Sequence, residues 1–128
     1  MAQVKIFGTS EALKPIQASF SDVLHSCLVD ALQLPPEKRF HRFFFFEPED
    51  FLFPSDRSGK YTIIEISMFE GRSTEAKKQL IRLIFERISA LGIPPRDIEI
   101  TVFETPKHNW GIRGLPGDEL SLNYKVEV

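Results

Sequence analysis

Apolar and polar positions alternate along the chain in two similar halves. Val4-Lys5-Ile6-Phe7 and Tyr61-Thr62-Ile63-Ile64-Glu65-Ile66 are β-prone runs, which predicts a strand at the head of each half. Each run leads into a stripe spaced by three and four, which predicts an amphipathic helix. The stripes are Ile16, Phe20, Val23, Leu24, Cys27 and Ala31, then Leu80, Ile81, Ile84, Phe85, Ile88 and Leu91. Both helices stop at nearly the same phrase, Leu32-Gln33-Leu34-Pro35-Pro36 and Leu91-Gly92-Ile93-Pro94-Pro95. A double proline cannot continue a helix and pushes the preceding residue towards extended backbone. Strands are predicted to follow over 39–47 and 98–104, with Phe46-Glu47-Pro48 echoed by Phe103-Glu104-Thr105-Pro106.

This repeat of about 59 residues, present twice, fits a fused pair of β-α-β units better than an open array. The expected fold is α+β: two tandem units forming one four-stranded mixed sheet with both helices on one face. A ferredoxin-like arrangement has the same element order and is the alternative. One domain is expected over residues 1–128, with halves near 1–54 and 60–106 and a loop and tail over 107–128. The connector Pro54-Ser55-Asp56-Arg57-Ser58-Gly59 reads as turns, and 107–117 as an ordered loop. Tyr124-Lys125-Val126-Glu127-Val128 alternates, which predicts a short edge strand.

Phe43-Phe44-Phe45-Phe46 places two phenylalanines on each face of its strand. One pair lies under the helices, and the other needs a neighbouring subunit. Phe51-Leu52-Phe53 is a further candidate contact.

Composition narrows the function classes. A chain of 128 residues with 42% hydrophobic residues and 12 phenylalanines has the makings of a folded core. A net charge of -2 gives no electrostatic footprint for nucleic acid or an anionic membrane. No apolar run approaches the roughly 18 residues of a membrane span, and the start shows no signal-peptide pattern. The single cysteine, Cys27, cannot close an internal disulfide, so a cytoplasmic setting is expected. It falls on a helical stripe, which predicts inert burial. His25, His41 and His108 lack ligand spacing with cysteine or acids, and no metal or other cofactor is expected. Glu70-Gly71-Arg72-Ser73 lacks the glycines and lysine of a phosphate loop. Lys77, Lys78, Arg82, Glu86 and Arg87 read as a solvated helix face.

Three places carry a family resemblance. Leu34-Pro35-Pro36 closes the first helix, Glu70-Gly71-Arg72-Ser73 opens the second, and Asn109-Trp110-Gly111-Ile112-Arg113-Gly114 marks the late loop. In this order and spacing the chain resembles fused members of the tautomerase superfamily, similar in layout to the malonate semialdehyde decarboxylase type. The resemblance implies a homotrimer acting on, or binding, a small carboxylate-containing molecule. It also implies a keto–enol isomerase, or a lyase or hydratase, working through an amino-terminal proline freed by methionine removal. Here Ala2 stands at that position. Loss of Met1, which the small Ala2 side chain permits, would expose a primary amine. Such an amine is roughly one-tenth neutral at pH 7 before any perturbation and can take a proton or form a Schiff base.

Arg72 matches the family's substrate arginine, and a guanidinium can grip a carboxylate through two parallel hydrogen bonds. The second arginine of the dehalogenase- and decarboxylase-like members is absent, since Phe69 and Glu70 occupy those positions. Lys38 stands where decarboxylase-like members carry an aspartate, with Glu37 one place early. The resemblance makes Trp110 an apolar wall over the substrate, and Arg113 and Arg39 further sources of positive charge. A non-catalytic anion-binding or assembly module on the same fold is the alternative function. Substrate identity is beyond these residues.

Overall fold

The computed structural model describes residues 2–128. Strand β1 (Ala2–Thr9) runs into a short helix, α1 (Ser10–Leu13), and a 3-10 turn, then into the long helix α2 (Gln17–Leu32). Strand β2 (His41–Phe46) completes the first unit. The second contains β3 (Thr62–Phe69), α3 (Thr74–Ser89) and β4 (Ile98–Thr105). A small hairpin, β5 (Gly111–Ile112) with β6 (Leu115–Pro116), occupies the late loop.

The sheet order is β2-β1-β3-β4. Within each unit the two strands pair directly and in parallel, while β1 and β3 meet antiparallel at the centre. No strand is inserted between the two strands of a unit. This separates the chain from the split β-α-β of a ferredoxin-like fold.

Local chemistry explains the element ends. The Thr9 hydroxyl accepts the Ala12 N–H at 3.2 Å, and the Ser73 hydroxyl accepts the Ala76 N–H at 3.1 Å. These are N-caps that satisfy amide groups with no partner inside the helix. Gln33 ends α2 in the left-handed region at φ 55°, and Gly92 follows α3 at φ 101°. The prolines beyond prevent continuation.

The core lies between the sheet and the helices. Val4, Ile6, Ile64, Ile66 and Met68 face inward from the central strands, and Phe20, Leu24, Leu28, Leu80, Ile84 and Ile88 cover them. Each such side chain contributes roughly 1.5–3 kcal/mol on removal from water. The Phe43–Phe46 run splits as expected. Phe43 meets Phe20 edge-on at 5.8 Å, under a helix, whereas Phe44 stacks on Phe7 at 4.9 Å on the opposite face.

Several expectations change. Residues 124–128 form no strand; they lie over the turn between β3 and α3, where the Ser73 N–H donates to the Val128 oxygen at 2.9 Å. Their alternation persists, with Val126 buried and Lys125 and Glu127 exposed, but no strand edge is beside them. Not all the α3 charges are free in solvent. Lys77 pairs with Glu104 at 2.7 Å, and Arg87 reaches across to Asp30 at 2.8 Å and Ser26 at 2.9 Å. His25 and His41, far apart in sequence, come together with ring centroids 5.7 Å apart.

Candidate functional site

The sheet register collects the candidate residues at one end. Ala2 pairs with Met68, so the start of β1 lies beside the end of β3. Phe69 pairs with Thr105, which brings the end of β4 to the same level. Val4 is opposite His41, and its N–H donates to the Phe40 oxygen at 2.9 Å. The segments bearing Lys38 and Arg39, Arg72, and Trp110 to Arg113 therefore converge where β1 begins. Ala2 itself is buried as the first residue of β1. Met1, whose removal would free the Ala2 amine, lies outside the described residues.

Arg72 is the most unusual of these residues. It is only 5% exposed, although arginine is almost never fully buried without a partner. Its Nη1 donates to the Phe69 carbonyl oxygen at 3.1 Å, while the buried Nε and Nη2 have no hydrogen-bond partner among the described residues. It pairs neither with Glu70 nor with solvent. Burial lowers its pKa from the ordinary arginine value, opposed by the nearby carboxylates of Glu104 and Glu127. The glycine before it is required: Gly71 has φ +130°, and a Cβ there would lie 3.0 Å from Val126 Cγ1.

Trp110 adjoins this arginine through a shared neighbour. Its ring meets Phe69 edge-on at 5.2 Å, and its Nε1–H donates to the Thr105 hydroxyl at 2.6 Å. Two contacts thus fix the indole against the backbone that holds Arg72. The other cations face elsewhere. Arg113 and Lys38 line a cavity of about 160 Å³ with Tyr124, and Arg113 adopts the left-handed region at φ 51°. Arg39 pairs with Asp22 at 2.6 Å beside a separate cavity that also contains Ser21 and His41. Arg72 and Trp110 share Phe69 as a neighbour, whereas Arg39 and Arg113 lie in different surroundings.

Sequence reasoning missed the His25–His41 cluster, whose members come from different elements. His25 Nε2–H donates to the Pro36 oxygen at 2.7 Å, and His41 Nδ1 shares a 2.8 Å hydrogen bond with the Ser21 hydroxyl. Burial, then the neighbouring His25 and Arg39, lowers the His41 pKa to about 4. No group of three or more metal-ligating side chains occurs among the described residues. Cys27 is buried, as expected, and desolvation raises its thiol pKa. A cavity of about 620 Å³ lies at the opposite end of β1 between Thr9, Phe51 and Lys60, away from the residues above.

A family model described as tautomerase enzyme matches residues 38–113. The 2-hydroxymuconate tautomerase of Comamonas testosteroni is 39% identical over 57 residues, covering 44% of this chain and 90% of that protein. FG41 malonate semialdehyde decarboxylase, solved as inhibited by 3-bromopropiolate, is 26% identical with a TM-score of 0.77. That alignment covers 84% of this chain and 86% of the other. The Q0 fused 4-OT, solved as a symmetric trimer, shares the fold at 17% identity and a TM-score of 0.77, covering 91% of this chain and 96% of the other. The chain belongs to the tautomerase family.

Proposed function

We propose that this protein is a tautomerase-like isomerase acting on a small carbonyl acid, with Arg72 holding the substrate carboxylate. The carrying observation is the buried guanidinium whose Nε and Nη2 lack partners among the described residues, at the end of the sheet where Ala2 begins β1. A carboxylate would satisfy both groups by charge-assisted hydrogen bonds and offset the cost of burying the charge. Trp110, fixed by Phe69 and Thr105, then serves as an apolar wall. The Ala2 amine, once Met1 is removed, is the proton-transfer group, and no cofactor takes part. A primary amine turns more freely than a proline ring, and poor positioning of about 1 Å can cost on the order of a hundredfold in rate. Weak turnover is expected.

Arg113 and Lys38 supply additional positive charge near the entrance, while Arg39 is engaged by Asp22. The protein works as a single domain in the cytoplasm and assembles as a homotrimer. Phe44 and Phe103, 39% and 46% exposed on the sheet face away from the helices, support burial against other copies. The second reading is a non-catalytic anion-binding or assembly module, favoured by Ala2 in place of proline.

Ketonisation of enol phenylpyruvate, followed by absorbance, tests the leading proposal. Wild type is expected to exceed the buffer rate modestly, Arg72→Ala to lose that excess, and Ala2→Pro without Met1 to exceed wild type. If all three stay at the buffer rate while an anion still binds, the second reading stands instead. Intact-mass analysis of untagged protein from its own cells determines whether the amine exists.

A further inference from the structure

Residues 126–128 pack against the two residues that flank Arg72. Val126 is 2% exposed, and Glu127 Oε1 lies 3.6 Å from the position a Cβ would take on Gly71. The Ser73 N–H, one residue beyond Arg72, donates to the Val128 oxygen at 2.9 Å. From Leu120 to Val128 the backbone forms neither helix nor strand, so no regular ladder secures this segment. With the segment in this position, Arg72 Nε and Nη2 are buried and have no acceptor among the described residues. Burial of Val126, the packing of Tyr124 on the core and the Ser73–Val128 bond favour that position, and the unpaired guanidinium opposes it. Such a balance makes local opening inexpensive compared with unfolding.

We infer that residues 124–128 form a strap that shuts the Arg72 site at rest and lifts to admit an anionic ligand. Val126 is the latch, inserted against Gly71. Glu127 stations a carboxylate near the guanidinium without an ion pair, so an entering carboxylate competes with a weak internal one. The inference takes Arg72 as the anion-holding group from the functional proposal, but strap movement is measurable without turnover.

Phenylglyoxal labelling of the full chain, with each arginine followed by peptide mass, provides the test. In wild type, Arg72 should react about tenfold more slowly than exposed Arg113, because only the open fraction is accessible. Val126→Asp, which disfavours the closed position, should speed labelling of Arg72 about tenfold and leave that of exposed Arg96, at the other end of β4, unchanged. Val126→Ala is a milder version if the aspartate variant does not fold. Amide exchange adds an independent reading: the Ser73 N–H should exchange well before the Ile66 N–H in the sheet centre. Equal labelling of Arg72 and Arg113 in wild type, or no acceleration in either variant, overturns the strap. So does Ser73 protection equal to that of Ile66. Malonate is the probe for the functional proposal: if it fails to protect an opened Arg72, carboxylate binding fails while the strap stands.

Discussion

Arg72 donates from Nη1 to the carbonyl oxygen of Phe69 at 3.1 Å, a bond that fixes the guanidinium without neutralising it. A charge buried this way weakens the fold that carries it. Arg72→Met, of similar length and apolar, should therefore raise stability by about 1–2 kcal/mol. Urea unfolding should show a higher midpoint in the variant, together with loss of carboxylate binding. A lower midpoint would mean that the Phe69 bond outweighs the unpaired nitrogens.

His41 predicts how stability depends on pH. Its folded pKa of about 4 is below the ordinary 6.5, and the groups facing it are Ser21, His25 and Arg39. The unfolded chain takes up a proton at this position first as pH falls. The stability contributed by neutral His41 is thus complete above about pH 6.5 and lost as pH falls to about 4. The loss should be about 2–3 kcal/mol at most, reduced by solvent screening because the ring is only partly buried. Urea unfolding between pH 7.5 and 4 should show this slope, and His41→Gln should flatten it.

Asp97 anchors the connector between the units. Fully buried, its carboxylate accepts the Ser58 N–H at 2.8 Å and the Ser58 hydroxyl. Asp97→Ala removes both acceptors and strands the Ser58 amide, which should cost about 2–4 kcal/mol. Chemical denaturation measures the loss, and amide exchange at Ser58 should accelerate with it.

Phe44 tests the proposed assembly. It stacks on Phe7 on the face the helices leave open, so Phe44→Glu should leave the core intact. Light scattering at micromolar concentration should show a trimer for wild type and a smaller species for the variant, with unchanged circular dichroism.

Much of the fold was legible because its signals are local. The double prolines at 35–36 and 94–95 marked the helix ends, and the alternation through Val4-Lys5-Ile6 and Ile64-Glu65-Ile66 marked the faces of the central strands. Arg72 could be singled out from its motif. Its surroundings could not, because Val126 and Val128, more than fifty residues away, pack against Gly71 and Ser73. The alternation of Tyr124 to Val128 was also real, but it describes contact with a turn rather than a sheet edge. The proximity of His25 and His41 followed from the packing of α2 beside β2, which no spacing rule encodes.

Because β1 and β3 lie antiparallel at the centre, the two units are related by an approximate two-fold axis. The molecule has two corresponding ends that have diverged. Strands β1 (Ala2–Thr9) and β3 (Thr62–Phe69) share one burial pattern, which sets Ala2 against Thr62 and so Arg72 against Ala12. Ala12, in α1, lines the cavity of about 620 Å³ and offers no guanidinium there. Of these two corresponding positions, the one in the second unit carries the arginine. Ligand stoichiometry should accordingly be one carboxylate per chain rather than one per repeat.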